Sequence, residues 1–299
     1  MTARSALSRR SFLQSTLASS AALAVPAVAA QPKRFPIIAF SKPFQHLSHA
    51  DCAEFVAEIG WDGIECPVRP KGQVEPEAAA DELPALVAAL KRRGKDIQIG
   101  TTNITSVDTP HAERVLRALA AAGVKRYRMG YWRYSDREPM AKLHAEVRAQ
   151  LKDLAALNAE LGIQGGYQNH SGRQYVGAPI WDIFNLLQEL DPKHVGMIYD
   201  IGHSTVEGGY SWPIEARLVQ DQLTAVYVKD FRWEKTAKGW KAQWCPLGEG
   251  MVDRKFFQML AATGYAGPIA QHHEYELASP EEMRRAMKAD LKVLRGWLK

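Results

Sequence analysis

The chain has 299 residues, 46% of them hydrophobic, with 38 basic against 33 acidic side chains. Its first thirty residues hold Arg4, Arg9, Arg10 and no acid, so residues 31–299 carry 35 basic and 33 acidic groups, a formal charge of +2. That near balance leaves no electrostatic footprint for nucleic acid, and Cys52, Cys66 and Cys245 form neither a CxxC pair nor an even disulfide set.

Ser8-Arg9-Arg10-Ser11-Phe12-Leu13 is a twin-arginine pattern. A weakly apolar stretch follows from Leu17 to Val25, then Ala27-Val28-Ala29 as an A-x-A cleavage site. The order predicts an export signal over 1–30 and a periplasmic or exported protein. The stretch is too short and too rich in Ser and Ala for a membrane anchor. Residues 31–299 have the size of one large domain, in which the cysteines read as buried small hydrophobes.

From Phe35 onward, short apolar runs alternate with amphipathic stretches. Strands are predicted at 35–40, 62–65, 96–101, 127–130, 163–168, 195–199, 225–228 and 268–272. Helices are predicted between and after them at 51–59, 79–93, 111–122, 139–161, 179–190, 213–220, 254–263 and 280–298. Ser48 is the expected cap of the first helix, and Gly94, Gly123 and Gly162 close three others. The run Glu207-Gly208-Gly209-Tyr210 and the stretch Trp233 to Asp253 read as long loops suited to lids. Eight β/α units in this order predict an α/β fold, a (β/α)8 TIM barrel forming a single catalytic domain. An open dinucleotide-binding sheet would need a glycine-rich loop after its first strand, where this chain has Ser41-Lys42-Pro43-Phe44.

In such a barrel the active site lies where the strands end. Those ends read Lys42, Glu65, Thr102 with Asn103, Arg128, Gln168-Asn169-His170, Asp200 with His203, Lys229-Asp230, and His272 with Glu274. Side-chain alternation places Ala270, His272 and Glu274 on one face, and Ile269, Gln271 and His273 on the other. The small Ala270 suits the barrel interior, so His272 and Glu274 are expected inside and His273 outside. The same rule turns Gln168, His170, Asp200, Tyr227 and Lys229 inward. Loop aromatics such as Trp132, Trp233 and Trp244 would suit the apolar faces of sugars, although most read as loop packing.

The segments GWDGIE (60–65), YQNHSG (167–172), YDIGHS (199–204), VKDF (228–231), PLGEGMVD (246–253) and GPIAQHHEYE (267–276) resemble the xylose-isomerase-like TIM barrels, the sugar phosphate isomerase/epimerase superfamily. They also resemble a narrower, often exported subgroup associated with keto-sugar and glycoside breakdown. The resemblance implies proton transfer next to a sugar carbonyl. It also implies a divalent metal held by Glu, Asp, His and Glu from the ends of strands five to eight. Asp200 keeps its place in that quartet, whereas Gln168, Tyr227 and His272 replace the other three members.

The resulting expectation is a metal-dependent sugar isomerase or epimerase. A lyase or hydratase acting on 3-keto-glycosides is the alternative, and a non-catalytic sugar-binding barrel is the reading from another class. A nuclease on the same scaffold is disfavoured by the missing histidines and the near-neutral charge. Lys229, Glu65, His203 and Glu274 are the candidate catalytic groups, with Lys229 expected either to have a lowered pKa or to stabilise an enolate oxygen. Lys42, Arg128, His170 and Asn169 are the candidate substrate contacts. Asp200, His272, Gln168 and Glu274 are the candidate metal ligands, and mixed N/O donors suit Mn, Co, Ni or Zn. The expected partner is a small carbohydrate, with no nucleic acid, and a homo-oligomer is open.

Overall fold

A computed structural model describes residues 35–299. The predicted export signal at 1–30 lies outside the described residues.

Eight parallel strands close into a barrel. In chain order they are β1 (Ile37–Phe40), β2 (Gly63–Pro67), β3 (Asp96–Thr101), β4 (Arg126–Arg128), β5 (Gln164–Gln168), β6 (Val195–Asp200), β7 (Leu223–Val228) and, after a hairpin, β10 (Ile269–Gln271). β1 pairs with β10, Ile38 opposite Ala270, and this closes the ring. Helices α1 (His49–Ile59), α2 (Ala79–Arg92), α3 (Ala112–Ala121), α4 (Met140–Leu161), α5 (Trp181–Leu187), α6 (Ile201–Gly208), α7 (Trp212–Leu218), α8 (Lys255–Ala261) and α9 (Pro280–Trp297) connect or follow the strands. Among the described residues no helix is long and apolar enough to cross a membrane. The three cysteines are free and buried.

Local chemistry sets many of these boundaries. The Ser48 hydroxyl accepts from the Asp51 amide at 3.2 Å and starts α1. Gly162, at φ +64°, ends α4 in the left-handed conformation.

Two elements depart from expectation. The sequence predicts a loop over Glu207–Tyr210, but α6 runs from Ile201 to Gly208. Asp200 caps it, its Oδ1 accepting from the His203 amide at 3.0 Å, so the D-x-x-H spacing is first a helix-cap spacing. The supposed long loop after β7 is instead a hairpin, β8 (Asp230–Thr236) with β9 (Gly239–Cys245). Asp230 anchors the segment after that hairpin. Its carboxylate accepts from the amides of Gly248, Gly250 and Val252 at 2.9–3.0 Å. A Cβ at Gly250 would sit 2.2 Å from Asp230 Oδ1, so no larger residue fits there.

The apolar residues divide into two layers. A broad one between strands and helices includes Ile64, Leu83, Leu116, Tyr127, Leu151, Tyr199 and Leu291. A narrow plug of Ile38, Ile99, Ile198, Ala225, Tyr227 and Ala270 fills the barrel. Alternation therefore holds in β10: Ala270 is in the plug, while Gln271 accepts from the Trp61 indole at 2.8 Å on the helix side. His273 follows Gln271 outward, 3.5 Å from Asp290 of α9.

Burial pushes the Asp290 carboxyl up to about 6, against hydrogen bonds from Tyr275 and the Leu247 amide. Folding thus favours its protonated form. That contribution is complete below the unfolded value near 3.8 and is lost as pH rises through about 6. Asp290→Asn is expected to raise stability by about 1–3 kcal/mol at pH 8 and by little at pH 4. Thermal melts at the two pH values check this. A gain of equal size at both would contradict the assignment.

Candidate active site

The polar groups lie directly above the plug, at the C-terminal ends of the strands. Glu65 of β2 is fully buried. Its Oε2 meets His272 Nε2 at 2.8 Å. Its Oε1 accepts from the Tyr227 hydroxyl at 2.7 Å and from Thr101. Burial alone would raise the Glu65 pKa, but the charge of His272 and these three donors hold it below the usual carboxylate range. For His272, burial works against the charged ring, yet Glu65 and Glu274 raise its pKa above the ordinary imidazole value. The two form a buried carboxylate–imidazolium pair. The ring is wedged between Phe40 and Tyr227 at centroid distances of 4.6 and 4.3 Å. Its Nδ1 lies 3.6 Å from Glu274 Oε1.

Lys229 follows β7 and is 4% exposed. Its ammonium is 2.8 Å from Glu274 Oε1, 3.4 Å from Asp200 Oδ2 and 4.7 Å from the Trp244 ring centre. The lowered pKa expected for Lys229 does not occur. Burial pulls in that direction, but two carboxylates outweigh it and the pKa is raised. Lys229 is thus a held cation, and the neighbouring Asp230 takes no part in holding it, since its carboxylate bonds backbone amides. Glu274 is the complement: burial would raise its pKa, while Lys229 and His272 hold it far below the carboxylate norm.

His170 Nδ1 donates to the Ser171 carbonyl at 2.9 Å, because a carbonyl can only accept, and Nε2 then carries a lone pair. Burial, then the charge of Lys229, lowers its pKa to about 4. His203, a candidate catalytic residue, is 1% exposed and lies against His170 at a centroid distance of 3.9 Å. Its Nδ1 bonds Ser171 Oγ at 2.7 Å. It supports His170 from behind and does not line the cavity. Asn169, a candidate substrate contact, also turns away: its amide nitrogen donates to the Asp200 carbonyl at 3.0 Å and its oxygen accepts from the Asp200 amide at 2.8 Å. It joins the ends of β5 and β6.

The cavity above these groups has a volume of about 140 Å³. Lys42, Arg128, Gln168, His170, Lys229, His272 and Glu274 all line it, so most of the residues selected from strand ends converge. Phe40, Arg69 and Tyr131 line it too and were missed. The signal for Arg69 was that β2 continues to Pro67, which moves the strand end two residues beyond Glu65.

A model of the xylose isomerase-like TIM barrel family matches residues 53–297. The chain belongs to that family. The "Inosose dehydratase" of Geobacillus thermodenitrificans is 28% identical over 151 residues, 46% of this chain and 50% of that protein. The "Inosose dehydratase" of Lactiplantibacillus plantarum is 31% identical over 153 residues, again 46% and 50%. The chain thus spans about half the length of these curated relatives. Among solved structures, 3-keto-D-glucoside 4-epimerase from E. coli superposes with a TM-score of 0.69 at 19% identity, covering 88% of this chain and all of that one. At that identity the likeness concerns the fold.

The metal set suggested by the family resemblance, Asp200, His272, Gln168 and Glu274, lies in one region but not as ligands around one point. Gln168 donates through Nε2 to Asp200 Oδ2 at 2.7 Å, while its oxygen accepts from Tyr131. His272 is bonded to Glu65, and Glu274 to Lys229. Among the described residues no three His, Cys, Asp or Glu side chains group as a metal would require. The donors present include an amide, a phenol and an imidazolium where the family quartet has Glu, His and Glu. This set does not fit a hard dication, and the positive charge at its centre belongs to Lys229.

Proposed function

We propose that this barrel is an enzyme that enolises a carbohydrate ketone, removing the proton next to the carbonyl. The subsequent step is either reprotonation, giving an isomer or epimer, or loss of a group two carbons away, giving a dehydratase or lyase. One observation carries the reading: a buried ammonium and a carboxylate–imidazolium pair converge with Glu274 at the mouth of one small cavity. The inosose dehydratase relatives support the elimination branch. A sugar-binding barrel without catalysis has no need for two opposed, buried ion pairs beneath its ligand, which would be costly to desolvate.

The residues divide the work by charge. The Lys229 ammonium meets the carbonyl oxygen as it becomes an enolate, and a fixed cation in a dry site is worth most there. When Lys229 turns to that oxygen, Glu274 loses part of the charge that keeps it ionised, so its basicity rises as it accepts the carbon-bound proton. His272, oriented by Glu65, presents Nδ1 on the cavity side. From Nδ1 it returns a proton to carbon or donates one to a departing hydroxyl. Glu65 does not reach the cavity and acts as a positioning residue. His170, kept neutral by burial, holds a sugar hydroxyl through its free nitrogen.

In this reading Lys229 supplies the positive charge that a family metal would otherwise supply. Dialysis against EDTA is expected to leave kcat within about twofold, since no rate-determining interaction is removed. Elemental analysis alongside turnover of a keto-sugar panel checks this. Loss of activity with the chelator, and recovery with Mn, Co or Zn, would sink the metal-free version.

A further inference from the structure

The cavity has a second end that the chemistry above does not use. Lys42 follows β1, Arg69 follows β2 and Arg128 ends β4, so three cations occupy the half of the rim above β1–β4. Lys229, His170 and Glu274 occupy the half above β5–β10. Among the described residues, none of the three cations makes an ion pair within the protein. Arg128 is 3% exposed, and its Nη1 is buried with no hydrogen-bond partner. A Tyr131 ring lies 4.7 Å below the guanidinium. Arg69 lies 5.8 Å above the Phe40 ring, and burial together with the charge of Arg128 lowers its pKa.

Burial works against the Arg128 charge, and the neighbouring tyrosines with Glu65 hold its pKa up, but among the described residues no acid pairs with any of the three cations directly. Glu65 is matched by His272, and Lys229 faces both Asp200 and Glu274. The one surplus negative charge of that second group is outnumbered three to one by the rim cations. A buried guanidinium with an unmet N–H is costly unless something answers it. Guanidinium pairs match the planar, two-oxygen geometry of carboxylate or phosphate.

We propose that Arg128, Arg69 and Lys42 form an anion subsite, and that the substrate is an acidic sugar carrying a carboxylate or phosphate away from the reacting carbonyl. The anion seats over β1–β4 and places the carbonyl against Lys229. This assignment rests on the enolising function for its reacting end, but the subsite itself is tested by binding alone.

The test is calorimetric titration of the full chain with D-glucuronate, D-glucose 6-phosphate and D-glucose, at low and raised NaCl. At least one acidic sugar is expected to bind about tenfold or more tightly than glucose, with the advantage shrinking as salt rises. Preference for glucuronate or for the phosphate assigns the anion. Arg69→Met, at a half-buried position that leaves the core intact, should remove most of the preference, and Arg128→Met should remove it entirely. Circular dichroism verifies that each variant is folded. The subsite is overturned if neither acid binds more tightly than glucose, or if the preference survives both substitutions. Anion preference in a protein that enolises nothing would keep the subsite and reject the enolising function. Enolisation without anion preference would do the reverse.

Discussion

Lys229→Met is expected to lower kcat by at least about 10²–10³-fold, the scale set by removing one preorganised charge from a transition state. It should also lower stability by roughly 3 kcal/mol, because it leaves two carboxylates without their cation. Asp200 is fully buried and bears most of that cost, whereas the Glu274 side chain is 33% exposed and can rehydrate. The two effects separate in the double variant Asp200→Asn/Lys229→Met. Stability should recover, because the buried charge is gone, and activity should not. Denaturant unfolding and turnover on the same preparations check both. Activity that returned together with stability would reduce Lys229 to a structural cation.

Glu65→Gln is the second large effect. The amide keeps the volume and can still accept from Tyr227 and Thr101, so the barrel should fold. It removes the charge that raises the His272 pKa. In the native chain the imidazolium contributes stability that is complete below the unfolded histidine value and lost as pH rises through the raised folded one. Glu65 contributes stability that is complete above its unfolded value and lost as pH falls through its depressed folded one. In the variant the Glu65 contribution disappears and the His272 contribution shrinks to what Glu274 supports. The rate should fall about 10²–10⁴-fold, the range for a misplaced general acid, and the alkaline limb of the profile should move to lower pH. NMR titration of His272 and a pH–rate profile report this. An unmoved alkaline limb would mean that His272 does not carry the proton.

The barrel was legible because its determinants are local. Glycines after helices, a serine before α1 and apolar runs of strand length each act within a few residues. The inward set was legible for the same reason, since period-two alternation separates His272 from His273 without knowledge of partners. What was not legible depends on contacts across the chain. Glu65 and His272 are 207 residues apart in sequence, so nothing local says that they pair. That one contact changes Glu65 from a candidate catalytic group to the partner that orients His272. The sign of the Lys229 shift needed the positions of both Asp200 and Glu274. Helix α6 was missed because it is short, contains glycine at 202 and 208, and is started by a carboxylate that ends a strand. The β8–β9 hairpin was missed because most of its residues are exposed on both faces, which erases the alternation that marks a half-buried strand.

If Lys229, rather than a metal, stabilises an enolate in this cavity, deuterium should enter from D2O next to the carbonyl of a ketone substrate. NMR on chelator-treated protein, with a keto-sugar panel that includes acidic members, should show uptake by the metal-free wild type and none by Lys229→Met. Uptake that appears only after Mn, Co or Zn is restored, or none on any ketone under any condition, would contradict that role for Lys229.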